Sequence, residues 1–438
     1  TTSSPQTHMK IVTSSISTSL RLRSRVHFGT LVATEEFPFS ANLSPQKAQP
    51  APTLSEVTLG NGIQVITREY ESSVTTLKFS ILGGSRAENE SQKGAAQLLS
   101  SAAFAGNKKN TGLRIVRYFE SLGSSIKSSV DREKIMYDVT VMSDRLEPAV
   151  AGMMSAISSP PYAAYVLEEA KEAAALQYGR LAADPVLQLS ELIHAAAYGE
   201  ASPLGGSLFA ASLDQVSALA ALDLRSQLFR TGNLVVTGSG VGSERLAALL
   251  EGYGGGLAVG PRLPPAPSPY QGGEVRVRGG GDLHMALALP TPAGAAGQPL
   301  WVLLELLQAQ GLHAFLQPYS SGGLLGIYCT EAAQLQSLAG LLRSLASPAA
   351  IPGFLAARSK AALARLLALE GKGVASTALL LEGHLTGLRA DLLADLRGVS
   401  EEAVRQAAAQ LLAAGPSLAV LGATHRAPSH AEVAKLFK

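Results

Sequence analysis

The sequence has almost no cysteine. One residue in 438, Cys329, rules out an internal disulfide and fits a reducing compartment such as cytosol, matrix or stroma. A long apolar run is also missing. Mean hydropathy is +0.18, yet no stretch of about 20 apolar residues occurs, as a membrane-crossing helix would need. The nearest candidate, 283–307, is interrupted by Pro290, Pro292, Pro299 and Glu305. Any membrane contact is therefore expected through partner subunits. Charge of one sign is scarce: 36 basic residues against 34 acidic leave +2, which gives no general pull on nucleic acid or anionic lipid. The eight histidines (His8, His27, His194, His284, His313, His384, His425 and His430) include no pair three or four apart, so no helical imidazole pair can grip a metal. His194 reads as a packing or capping histidine.

One absence is local. Residues 1–34 contain no acid but carry Lys10, Arg21, Arg23, Arg25 and a Ser/Thr-rich run at 13–19, the composition of an organelle transit peptide. An extended connector follows, marked by Pro38, Pro45, Pro50 and Pro52. The expected layout is a basic arm and connector over 1–52, a first lobe over 53–252, a linker over 253–273 and a second lobe over 274–438.

What is present is regular alternation. Strand patterns at 57–60 and 63–68 flank Asn61-Gly62, a hairpin dipeptide. Further strands are expected at 75–82, 135–141 and 234–237. Helices are expected at 92–105, stopped by Gly106, then from Thr111 as N-cap to Gly123, with Leu113, Val116, Phe119 and Leu122 at helical spacing. More follow at 144–157, 164–182, 186–198 and 212–229. After the Gly/Pro-rich 253–273, the order repeats: strands at 274–278 and 283–289, a helix at 299–310, a strand at 323–330, four helices near 331–347, 353–370, 375–387 and 400–413, and a strand at 418–421. Tyr137 and Ile327 lie about 190 residues apart, and Leu234 and Leu418 about 184, which reads as an internal duplication. The fold class expected is α+β, two homologous lobes, each a mostly antiparallel sheet packed against helices, joined by a Pro/Gly linker.

Several chemical motifs fall short. Gly238-Ser239-Gly240-Val241-Gly242 has its third glycine one place early for a dinucleotide loop, and no acid-bearing strand follows. Gly279-Gly280-Gly281 leads into a strand and lacks the Gly-Lys-Ser/Thr of a P-loop. No Gly-x-Ser-x-Gly elbow is present. Cys329 alternates with apolar strand residues and is expected to pack rather than react.

The stretch Gly94-Ala95-Ala96-Gln97-Leu98-Leu99-Ser100-Ser101-Ala102-Ala103-Phe104-Ala105-Gly106 resembles the zinc-binding helix of the inverted zinc metallopeptidases. That family includes mitochondrial processing peptidase and the core proteins of the respiratory cytochrome bc1 complex. Its active members place two histidines four apart on one helical face, with a glutamate base between them. Here the ligand positions read Gln97 and Ser101, the base position reads Ser100, and the third ligand position, on a later helix, falls on Gln177. An amide and hydroxyls make a poor zinc site and supply no base. The segments Leu122-Gly123-Ser124-Ser125-Ile126-Lys127 with Asp131-Arg132-Glu133, Ile193-His194-Ala195-Ala196-Ala197-Tyr198, and Tyr319 through Tyr328 also resemble the family, so the likeness covers about 54–424.

The resemblance implies a member without catalytic residues, metal or cofactor. It implies a structural subunit at the matrix side of the mitochondrial inner membrane, paired with core subunit 1 and supporting cytochrome b, cytochrome c1 and the Rieske subunit of a dimeric bc1 complex. A presequence-binding subunit of the processing peptidase is the alternative, and presequence-binding members carry a glycine-rich loop that the short stretch 311–318 lacks. A hydrolase built on Ser100 or Ser101 is disfavoured, because only distant Lys93 lies near as an activating group.

Overall fold

In the computed structural model the described residues are 52–107, 110–159, 164–209, 216–370, 373–386 and 396–437. The expected basic arm and nearly all of its connector, residues 1–51, lie outside them. The first sheet contains β1 (Thr53–Thr58), β2 (Gln64–Glu69), β3 (Val74–Leu82), β4 (Ser125–Val130), β5 (Lys134–Met142) and β6 (Leu234–Ser239). They run in the order β1-β2-β6-β3-β5-β4, antiparallel throughout except β2 with β6. The second sheet contains β7 (Gly273–Arg278), β8 (His284–Thr291), β9 (His313–Tyr319), β10 (Gly322–Cys329) and β11 (Ser417–Gly422), in the order β7-β11-β8-β10-β9. Without β1 the two paths are the same, including one parallel pair, β7 with β11. The duplication is thus visible in the register: Leu234 faces Ile81 as Leu418 faces Leu287.

Period-two alternation builds each sheet's inner face. Leu77, Phe79 and Ile81 of β3 enter the first core, while Thr76, Lys78 and Ser80 turn to the other side. Leu325, Ile327 and Cys329 of β10 do the same in the second core. The helices of the first lobe are α1 (Ala95–Ser101), α2 (Gly112–Ser121), α3 (Leu146–Ser158), α4 (Ala164–Ala183), α5 (Pro185–Tyr198), α6 (Ala218–Leu228) and α7 (Ser243–Tyr253). Those of the second are α8 (Gln298–Ala309), α9 (Ala332–Ala346), α10 (Phe354–Glu370), α11 (Val374–Thr386), α12 (Glu401–Ala414) and α13 (His430–Leu436). In α3, buried Leu146, Ala149, Val150, Met153, Met154 and Ile157 form one apolar stripe at helical spacing.

Both sheets lie within one compact unit, Ala51–Lys438. Each lobe lends a helix to the other. Leu189, Ile193, Ala197 and Tyr198 of α5 pack on Ala286, Ala288, Leu324 and Ala419 of the second sheet. Reciprocally, Leu380 and Leu381 of α11 pack on Ile66, Leu82 and Val235 of the first.

Some expectations change. The helix expected over 92–105 is only seven residues long. Gln92 belongs to a short 3-10 turn capped by Asn89, and Gly94 has φ +85, which blocks helix continuation upstream. On α2, Thr111 caps as expected, but Ile115 and Phe119 are buried while Leu113 and Val116 face outward. The helix expected from 212 starts at Ala218, with Ser217 as its cap; residues 211–215 lie outside the described set. The edge strands β4 and β9 and the terminal α13 carry too little apolar alternation to have been expected as such.

Candidate functional site

The helix α1 sits in the first core against α4, α6 and β4. Its start is held by Glu88, whose carboxylate accepts from the backbone N–H of Gly94 (2.9 Å) and Ala96 (2.6 Å). Those donors are helix-start groups that would otherwise lack partners. Burial nevertheless dominates and pushes the Glu88 carboxyl up to about 7, against the backbone donors and Lys93, which favour its charged form.

Of the positions singled out on α1, Gln97 is 1% exposed and donates its side-chain amide to the Ala174 carbonyl of α4 at 3.3 Å. Ser100 is buried, and the Ser101 hydroxyl oxygen is enclosed with no hydrogen-bond partner among the described residues. A serine nucleophile needs a base within hydrogen-bond reach, which Ser101 does not have. Gln177 lies on α4, and its side chain is outside the described residues. Among the described residues no three His, Cys, Asp or Glu side chains converge as a metal cluster. Cys329 is buried in the second core, and burial pushes its thiol up to about 12, so it stays protonated and packs.

The three segments noted outside α1 come together in space. The turn between β4 and β5 carries Asp131, Arg132 and Glu133; the equivalent turn of the second lobe, between β9 and β10, carries Ser320 and Ser321. Glu133 accepts from the Ser320 N–H at 2.9 Å and from its hydroxyl at 2.5 Å, and it pairs with Arg86 at 2.5 Å. Arg86 also donates to the Ala266 carbonyl and the Ser321 hydroxyl. Arg132 pairs with Glu191 of α5 at 2.9 Å and donates to the Leu204 carbonyl. His194, 0% exposed, has Nδ1 2.6 Å from the Ser190 carbonyl and Nε2 2.8 Å from the Tyr319 hydroxyl. A carbonyl can only accept, so Nδ1 carries the proton and Nε2 accepts from Tyr319. Burial first, then the Arg132 charge, holds this imidazole well below its ordinary range, in its neutral form. His194 is therefore a satisfied packing histidine across the lobes.

The sequence reading missed Glu88, Arg86 and the Arg132–Glu191 pair. One signal was present: Gly84, with φ +54, where a Cβ would lie 2.3 Å from the Asp131 carbonyl oxygen, marks a close approach of two turns. A cavity of about 300 Å³ opens beside this junction between Leu82, Leu228, Leu263 and Leu385; of its charged walls, Arg86 and Glu133 are committed to each other and Arg262 reaches Gln64 at 3.4 Å. No helix among the described residues is long and apolar enough to cross a membrane.

Residues 64–212 match the insulinase family of peptidases, family M16. Among curated proteins the chain is similar to the probable mitochondrial-processing peptidase subunit alpha-2 of Arabidopsis thaliana, 26% identical over 330 residues, or 67% of this chain and 64% of that one. It is also similar to the mitochondrial cytochrome b-c1 complex subunit 2 of Saccharomyces cerevisiae, 26% identical over 279 residues (61% of this chain, 75% of that one). The human subunit 2 is 24% identical over 323 residues (66% and 70%). The chain thus spans a little under two thirds of the length of the two Arabidopsis processing-peptidase relatives and about half of the potato one.

Proposed function

We propose that this chain is core protein 2 of a mitochondrial cytochrome bc1 complex, a structural subunit without peptidase activity. The observation that carries the reading is Gln97. Where an active relative's helix would offer an imidazole, this side chain is buried and donates to the α4 backbone at 3.3 Å. A direct hydrogen bond between α1 and α4 takes the place that the resemblance gives to a metal bridge. With Ser100, Ser101 and Gln177 at the remaining positions, no base and no strong metal donor is left there. The lobes would follow the layout 53–252 and 274–438, after the basic arm. The subunit would hold no cofactor and would sit on the matrix side of the inner membrane. It would pair with core subunit 1 beside cytochrome b, cytochrome c1 and the Rieske subunit.

The second reading is a presequence-binding, non-catalytic subunit of processing peptidase, supported by the similarity to its alpha subunits. Two observations favour the first. Only three residues separate α8 from β9, where presequence-binding members of the resembled family carry a glycine-rich loop. The chain also spans 75% and 72% of the yeast and Cryptococcus b-c1 relatives but 64% and 52% of two plant peptidase relatives.

Blue-native electrophoresis of mitochondria carrying the tagged chain tests the assignment. Migration with cytochrome c1 at the size of the dimeric complex is expected; migration only as a free species removes it. Saturable binding of a fluorescent presequence peptide, dependent on a partner subunit, would move the assignment to the second reading. Stoichiometric zinc with chelator-sensitive peptide cleavage would defeat both.

A further inference from the structure

Where β7 and β11 end side by side, the second lobe has a concavity of about 550 Å³. Its walls include Arg278, His425 and Arg426, with Gly279, Gly281 and Gly422 between them. The side chains of Arg278, His425 and Arg426 are exposed and have no hydrogen-bond or ion-pair partner among the described residues. Their neighbour Arg276 differs: its guanidinium is committed to the Thr424 and Pro428 carbonyls and to Glu274. Asp282 is the only acid lining the concavity among the described residues, so the walls carry a net positive charge.

The duplication supplies an internal control. The same corner of the first lobe, where β2 and β6 end in parallel, is closed. Val241 turns into the core at 5% exposure, the Glu69 carboxylate lies against Gly242, and the Tyr70 hydroxyl bonds Ser239 at 2.9 Å beneath the Arg68 guanidinium. In the second lobe the chain after β7 is Gly279-Gly280-Gly281, which has no side chains to fill the space. Two glycines at this corner are also needed by the backbone: Gly281 has φ +119. At Gly422, with φ +91, a Cβ would meet the Asp282 carbonyl oxygen at 2.1 Å. One corner is thus filled and edged by an acid; its duplicate is open and edged by three basic side chains.

Planar guanidinium forks match phosphate oxygens two at a time, and a cavity of this size holds a small molecule rather than a lone ion. We propose that this corner binds a phosphate group between Arg278 and Arg426, with His425 at the rim. The group is carried either by a small soluble phosphate ester or by a phospholipid headgroup. The proposal is independent of the functional assignment above, since neither reading uses this corner.

The test uses the full chain and two probes: inorganic phosphate by calorimetric titration, and phosphatidylcholine vesicles with and without phosphatidic acid by flotation. Wild-type protein should saturate with phosphate at one site, or float with phosphatidic acid vesicles in a way that phosphate competes. The Arg278→Gln/Arg426→Gln double variant should weaken whichever interaction is seen by at least about tenfold, or about 1.4 kcal/mol. A second double variant, Arg180→Gln/Arg397→Gln, removes two exposed arginines elsewhere and should stay within about twofold. All these side chains are exposed, and unchanged thermal melting would establish that both variants fold. Phosphate binding without flotation identifies a soluble ligand; flotation competed by phosphate identifies a lipid. Absence of both in the wild type, or equal loss in the two double variants, overturns the proposal.

Discussion

The two cross-lobe seams share one topology but not one chemistry. Where α5 lies on the second sheet, the contact is apolar and framed by two buried ion pairs, Arg132 with Glu191 and Arg86 with Glu133, and by the neutral His194–Tyr319 hydrogen bond. Where α11 lies on the first sheet, the apolar contact is smaller and the bonds across it are mostly hydroxyl ones, while the same face of the sheet also buries the Lys78–Asp138 ion pair at 2.5 Å. Thr237 donates to the Thr377 carbonyl at 3.1 Å, Ser239 meets Ser376 at 3.2 Å, and His384 reaches Glu56 at 2.9 Å. Buried charges are costly unless every partner is present, so the first seam tolerates little change. Neutral hydroxyl bonds are each worth little net, and both partners of the Lys78–Asp138 pair belong to the sheet itself, so lifting α11 is expected to cost less than lifting α5. The first seam is therefore expected to hold the lobes more firmly than the second.

The largest effect expected is at Arg132. Replacing it by Met leaves Glu191 without its cationic partner, at a cost of about 3–5 kcal/mol in urea unfolding. A loss below about 1 kcal/mol would mean the pair behaves as a surface bridge and the contrast between seams is false. Next come paired truncations. Ile193→Ala and Leu381→Ala each empty a fully buried site, one in each seam. Costs of about 2–5 kcal/mol are expected for both, but hydrogen exchange should speed across both lobes in the first variant and mainly along α11 in the second. Matching exchange patterns would remove the asymmetry.

The repeat was legible in the sequence because each sheet's central strands bury one face, and alternation such as Leu77, Phe79 and Ile81 is written directly into residue order. The edge strands β4 and β9 were not. Ser125–Val130 is mostly polar, and His313–Tyr319 contains Pro318, which demotes a strand pattern. The helix holding Gln97, Ser100 and Ser101 was placed correctly but drawn too long, since the left-handed Gly94 and the 3-10 turn before it follow from Glu88 and Asn89 contacts that no periodicity encodes. The charge network was hidden for a related reason. Arg86, Arg132, Glu133 and Glu191 look like ordinary surface charges until two turns and a helix from both lobes meet.

Tyr319→Phe removes the hydroxyl that His194 and Arg132 share. It leaves the buried Nε2 of His194 without a donor, so a loss of about 1–3 kcal/mol is expected. The same imidazole gives the first seam a pH dependence. Its folded pKa lies well below 6.5, so below pH 6.5 the unfolded chain binds the proton more readily than the folded one. Stability from this group is full above 6.5 and falls as pH drops, by at most about 1.4 kcal/mol per unit. Glu88 acts with the opposite sign. Raised from 4.5 to about 7, it favours the folded state at low pH, and that contribution is lost as pH rises through about 7. Subtracting the profile of His194→Gln from that of the wild type between pH 5 and 7 separates the two. An unchanged profile would show that His194 does not set the acid side of the stability curve.

The smallest effect is expected in the second seam, at Ser376→Ala. Its hydroxyl meets that of Ser239 at 3.2 Å, but Ser239 keeps a second partner, the Tyr70 hydroxyl at 2.9 Å, so no buried group is orphaned. The cost should therefore stay near the net worth of one neutral hydrogen bond, about 0.5–1.5 kcal/mol, below that of Tyr319→Phe. Ser239→Ala removes the shared member and breaks both bonds, leaving buried Ser376 without it. It should cost more than Ser376→Ala. If Ser376→Ala instead matches Arg132→Met in urea, the second seam is as tightly fixed as the first, and the division of labour between them fails.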